Sequence, residues 1–130
     1  MAKVAIIEDD LAIAQMYRMK FETEGHTVET ASNGELGLSL ADAMRPDIIL
    51  LDIMMPDMTG DEMLKRLRDT DWGKSVKVII LTNKSEQEAT DAVRNLGVSA
   101  VIVKANMTPR QVAELVTKQL KPHSPSKPKK

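Results

Sequence analysis

Apolar residues gather in short continuous runs at 4–7, 48–51, 76–81 and 100–103. Continuity, as opposed to alternation, is what a strand covered on both faces requires, so these runs predict buried strands of a parallel sheet. A fifth run, 27–31, alternates and predicts an edge strand. Between the runs apolar residues recur at helical spacing: Ile13, Met16, Tyr17 and Phe21; Leu36, Leu40, Ala43 and Met44; Met63, Leu64 and Leu67; Ala89, Ala92, Val93 and Leu96; Val112, Leu115, Val116 and Leu120. Gly25 and Gly97 predict helix ends. Thr108-Pro109-Arg110-Gln111 predicts a helix start, with an N-cap, a proline in the first turn and Gln in the capping-box place.

Strand and helix therefore alternate five times. Right-handed crossovers onto a parallel sheet make this an α/β protein, a three-layer αβα sandwich. In such sheets function collects at the carboxyl ends of the strands, near the switch in strand order. Glu8, Asp9 and Asp10 follow the first strand, Asp52 the third, Thr82 and Asn83 the fourth, and Lys104 the fifth. The second strand ends only in Ala31 and Ser32.

Composition narrows the picture without changing it. At 130 residues the chain suits one domain, and a formal net charge of −1 argues against wholesale attraction to nucleic acid or membrane. There is no cysteine, and the two histidines, His26 and His123, are far apart, so a metal would be held by oxygens. No signal peptide or membrane-length apolar stretch is visible, which predicts a cytoplasmic setting. Residues 1–121 read as the domain, and 122–130 as a disordered basic tail of Pro, Ser and Lys. His26 reads as surface, Met16, Met44 and Met63 as core packing, and Trp72 as a partly packed loop residue. Gly73-Lys74-Ser75 imitates the end of a P-loop, but Arg68 stands where the first glycine belongs and a strand follows instead of preceding.

The rim carries the chemistry. Asp9, Asp52 and Glu8 or Asp10 would bring three carboxylates to one point, and their repulsion calls for a cation. Mg²⁺ takes one or two carboxylates together with waters and phosphate oxygens, so the acids describe a Mg²⁺ site that expects a phosphoryl ligand. Lys104 adds a positive charge, Thr82 a hydroxyl, and Asp52 between them becomes a carboxylate nucleophile toward phosphorus.

Glu8-Asp9-Asp10, Asp52-Ile53-Met54-Met55-Pro56 with Gly60, Thr82 and Lys104, in this order on this framework, resemble the receiver domains of bacterial two-component response regulators. The resemblance covers about residues 3–120 and implies a flavodoxin-like (βα)5 fold with sheet order 2-1-3-4-5. It makes Asp52 the phosphoacceptor, Thr82 the switch hydroxyl and Lys104 the phosphate-pairing lysine. It gives Mg²⁺ to Asp9, Asp52 and the Met54 backbone carbonyl, with Glu8 in the outer acidic position, and leaves Asp10 to begin the first helix.

The implied partner is a sensor histidine kinase or histidine phosphotransferase, with no direct nucleic-acid or membrane contact. The implied oligomeric state is a monomer or a weak phosphorylation-dependent dimer. The implied activity is a switch with self-catalysed phosphoryl acceptance and slow hydrolysis, not an enzyme of metabolism. The chain departs from the family's habit at Ala105, where proline is usual, at Val101, where an aromatic switch is usual, and at Asn83, where a small residue is common. Met54 and Lys84 offer no group to guide a hydrolytic water, which implies a long-lived phosphoryl group. Two rivals are a pseudo-receiver acting as a constitutive protein-binding module and a flavodoxin-like cofactor binder. The second is disfavoured because acids at the first strand end would repel a phosphate.

Overall fold

A computed structural model of the chain describes residues 2–53, 55, 58–82 and 95–120. Five parallel strands lie in the order β2-β1-β3-β4-β5: β1 Lys3–Ile7, β2 Thr27–Ala31, β3 Ile48–Asp52, β4 Lys77–Thr82 and β5 Ala100–Val103. The described helices are α1 Leu11–Thr23, α2 Gly34–Met44, α3 Gly60–Arg68 and α4 Pro109–Leu120, with a 3₁₀ turn at Lys104–Asn106. The helical pattern over Ala89, Ala92 and Val93, the Met54 carbonyl, Asn83, Lys84 and the 122–130 tail lie outside the described residues. Among those described, no helix is long and apolar enough to cross a membrane.

The continuous apolar runs are strands buried on both faces: all five residues of β3 are buried, and so are Val78 to Thr82 in β4. Each fully buried Leu or Ile contributes about 1.5–3 kcal/mol. Alternation divides the strands between two cores. Ile7, Ile49, Leu51, Val78 and Ile80 meet Ala41, Met63, Leu64 and Leu67 of α2 and α3. Val4, Ile6, Ile48, Leu50, Ile79, Leu81 and Ile102 meet Ala14, Tyr17, Phe21, Val112 and Val116 of α1 and α4.

The helix signals hold where they are local. Thr108 Oγ1 accepts from the Gln111 amide at 3.1 Å, and Gln111 Oε1 accepts from the Thr108 amide at 2.8 Å, closing the capping box. Gly25 adopts φ 91 after α1, where a side chain would be strained, and Gly97 adopts φ 73. Asp10 caps α1, accepting from the Ala12 and Ile13 amides at 3.0 and 3.1 Å.

Three expectations are corrected. In α2 the buried stripe is Gly34, Gly37 and Ala41, and Leu36 is 53% exposed. The helix lies so close to the sheet that a Cβ on Gly37 would stand 2.9 Å from Ile7 Cγ2, so only small residues fit beneath it. In α1 the stripe is Ala14, Tyr17 and Phe21, which turns Met16 outward. His26 is half-buried: its Nε2 shares a 3.1 Å hydrogen bond with Thr117 Oγ1, and its Nδ1 is buried without a partner. Burial lowers its pKa, partly offset by Glu24.

Candidate functional site at the carboxyl edge of the sheet

The chain runs from β1 outward to β2, then returns past β1 to β3, so the order in which strands are added reverses between β1 and β3. A crevice at the carboxyl ends of these two strands follows from the crossovers diverging there. Glu8 leaves β1 with its amide donating to the Ala31 carbonyl at 3.0 Å, which extends the ladder by one rung. Ile7 pairs with Leu51, so the following rung sets Glu8 beside Asp52. Thr82 ends β4 opposite Val103, and Lys104 follows directly.

Strand alternation sorts these side chains. Glu8, Asp52 and Lys104 continue the parity of Ile6, Leu50 and Ile102, the face covered by α1 and α4. Thr82 continues the parity of Val78 and Ile80, toward α2 and α3. Glu8, Asp52 and Thr82 are the buried polar or charged residues among those described, exposed by 1%, 3% and 3%, whereas Asp9 is exposed. Glu8, although expected in the outer acidic position, is thus the deepest of the acids.

Lys104 Nζ donates to Glu8 Oε1 at 2.8 Å and stands 3.4 Å from Asp52 Oδ2. The other Glu8 oxygen accepts from the Asp10 amide at 3.3 Å. Burial alone would lower the lysine pKa, but the hydrogen bond it donates to Glu8 and the fields of Asp52 and Glu8 outweigh it and hold the ammonium above its ordinary range. Glu8, Asp9 and Asp52 each offer a carboxylate oxygen, and these atoms lie within 4.8 Å of one another. Formally three acids and one lysine leave two negative charges, and the hard oxygen donors suit a divalent ion such as Mg²⁺. Asp9, Asp52, Glu8 and Lys104 are therefore brought together, and Thr82 ends the strand beside Asp52.

Tyr17 is a neighbour that the sequence marked only as core. Its phenol is buried beneath the site, and burial, with Lys104 opposing and Glu8 and Asp52 adding, raises its pKa. Helical spacing announces its burial, but no sequence signal announces which charges it will face. The Gly60 amide donates to the Ile53 carbonyl at 2.8 Å, which ties the start of α3 to the end of β3. Every peptide bond among the described residues is trans, that between Lys104 and Ala105 included.

Among curated proteins the chain is similar to the transcriptional regulatory protein AfsQ1 of Streptomyces coelicolor, 40% identical over 86 residues, which are 66% of this chain and 37% of that protein. It is 31% identical over 115 residues to the phosphate regulon transcriptional regulatory protein PhoB of Rhizobium meliloti, covering 87% of this chain and 50% of that one. The chain thus spans half or less of the length of these relatives. Among solved structures, chemotaxis response regulator CheY4 of Vibrio cholerae superposes with a TM-score of 0.82 at 30% identity, covering 91% of this chain and 98% of its own. Residues 4–117 match the profile of the response regulator receiver domain. The chain belongs to the response regulator receiver domain family.

Proposed function

We propose that this chain is a phosphorylation switch in which Asp52 accepts a phosphoryl group from the phosphohistidine of a sensor histidine kinase or histidine phosphotransferase. The observation that carries the reading is the buried Asp52 carboxylate lying between the Lys104 ammonium and a cluster of oxygen ligands. A carboxylate oxygen of Asp52 attacks phosphorus, the bond from phosphorus to the imidazole nitrogen breaks, and the acyl phosphate forms. Lys104 pairs with the charge carried by the phosphoryl oxygens, and the Thr82 hydroxyl donates to one of them. Asp9 and Asp52, with the Met54 carbonyl and with Glu8 as a further acid, would hold a Mg²⁺ ion, which would supply positive charge to neutralise phosphoryl oxygens. No other reaction is assigned to the chain beyond slow hydrolysis of its own acyl phosphate. The setting is cytoplasmic and the output is an altered protein-binding surface.

Incubation with acetyl phosphate and Mg²⁺ should add one phosphoryl mass to the protein and none to Asp52→Asn. Equal labelling of the variant overturns the assignment of Asp52. Absence of labelling in the unmodified protein favours the pseudo-receiver, for which the departures at Ala105 and Val101 speak.

A further inference from the structure

We propose that Asn33 is a modification site of the main chain, deamidated through a cyclic imide with Gly34, and that the first turn of α2 holds the reaction back for as long as it stays closed. The inference concerns the junction of β2 and α2 and is independent of the phosphoacceptor reading.

The sequence supplies the reactive pair. Of the four asparagines, Asn33, Asn83, Asn95 and Asn106, only the first precedes a glycine; Lys84, Leu96 and Met107 follow the others. In the reaction the Gly34 nitrogen gives its proton to solvent and bonds to Cγ of Asn33, the bond from Cγ to Nδ2 breaks, and ammonia leaves. Water then opens the imide at either carbonyl, giving aspartate or isoaspartate, so one water is taken up for each ammonia released. A side chain on the following residue crowds the attacking nitrogen, and glycine has none. As the first residue of α2, Gly34 also has no intrahelical acceptor for its amide.

The fold supplies the restraint. Asn33 is the N-cap of α2, with φ −157 and ψ 174. Ring closure needs the Gly34 nitrogen to eclipse Cβ of Asn33, and at this ψ it is staggered instead. Asn33 Oδ1 accepts from the Leu36 amide at 2.8 Å, and the Asn33 carbonyl accepts from the Gly37 amide at 2.8 Å. The swing turns either the side chain out of the cap or the Gly34 peptide out of the helix, so it breaks at least one of these bonds. Met58 covers the same turn: a Cβ built on Gly34 would stand 2.8 Å from Met58 Sδ. The two products then differ. Aspartate caps a helix as well as asparagine does. Isoaspartate lengthens the main chain by one bond, about 1.5 Å. The extra bond falls between Ala31, whose carbonyl accepts from the Glu8 amide at 3.0 Å, and Gly34 beneath Met58.

The test is incubation of the whole protein at mildly alkaline pH, with and without urea, followed by peptide mass analysis and by methyl labelling with an isoaspartyl methyltransferase. In urea, residue 33 should convert at least about tenfold faster than the other asparagines, and in the folded protein at least about tenfold more slowly than in urea, the scale expected when reacting atoms are held out of line. Met58→Ala, which uncovers the turn, should raise the folded rate by about threefold or more. Arg68→Met, which loosens the opposite edge of the sheet, should leave it within about twofold, since local opening does not require global unfolding.

No preference for residue 33 in urea overturns the site, and equal rates in the folded and unfolded protein overturn the restraint. Equal acceleration by Met58→Ala and Arg68→Met traces the reaction to global unfolding and overturns the role of the turn, as does a Met58→Ala rate equal to the parent's. Asn33→Asp, which reproduces one product, should melt with the parent, and the isoaspartyl form, separated by ion exchange, should melt below both. An isoaspartyl form that melts with the parent overturns the strain assigned to the longer chain.

Discussion

Gly60 lies so close under Asp52 that a Cβ built on it would come within 2.6 Å of the Asp52 carbonyl oxygen and of Ile53 Cα. Both contacts are to backbone, so no rotamer change relieves them. Gly60→Ala should therefore displace the end of β3 and destabilise the fold by about 1–3 kcal/mol, as overpacking does. Urea denaturation measures the loss. Labelling of the folded fraction with acetyl phosphate should fall too, and a variant with parental stability and labelling would contradict this close approach.

Asp10 caps α1 and also presents its amide to Glu8. Asp10→Ala should cost about 1 kcal/mol, whereas Asp10→Asn, which keeps the capping oxygen, should cost little. Thermal melts of the two variants distinguish the cap from a role for the charge: equal losses would implicate the charge.

Arg68 donates from its guanidinium to four backbone carbonyls: Leu96 at 2.7 Å, Gly73 at 2.7 Å, Val76 at 2.8 Å and Gly97 at 3.1 Å. Arg68→Met should destabilise by about 1–3 kcal/mol through carbonyls left without a donor. Arg68→Lys should recover only part of this, because an ammonium cannot fork among separated acceptors. Chemical denaturation of both variants is the check, and full recovery by lysine would show that charge alone matters.

His26 ties the start of β2 to α4 in its neutral form. Its folded-state pKa is lowered, chiefly by burial, so the folded protein resists its protonation. The stability it contributes is present above the ordinary histidine value of about 6.5 and is lost as pH falls through the lower folded-state value. His26→Asn should flatten this part of the pH profile, measured by denaturation at steps from pH 7.5 to 5. Parallel profiles for the parent and the variant would rule the histidine out as the source.

Much of this was legible because burial on both faces leaves a plain mark. The runs at 48–51 and 78–81 are apolar without interruption, and β3 and β4 are interior strands of the sheet. Residues placed at strand ends could be assigned to one rim before any contact was known. The face of α2 could not, because the tightest packing belongs to Gly34 and Gly37, which leave no hydrophobic signal. His26 and Thr117 are 91 positions apart, and Glu8 and Lys104 are 96, so no local pattern announces either pair. Which of the acids takes the lysine depends on strand parity and side-chain length together, and only a register supplies the first.

The Arg68 contacts have a mechanical side. All four carbonyls precede β4 or β5, at the edge of the sheet away from Asp52. On the same edge the Lys3 amide is bound by Asp47, and Lys77 Nζ donates to the Gln119 carbonyl. The sheet resembles a cantilever, clamped along its amino edge and loaded at its carboxyl edge. The clamped edge thus gives the rim a fixed support.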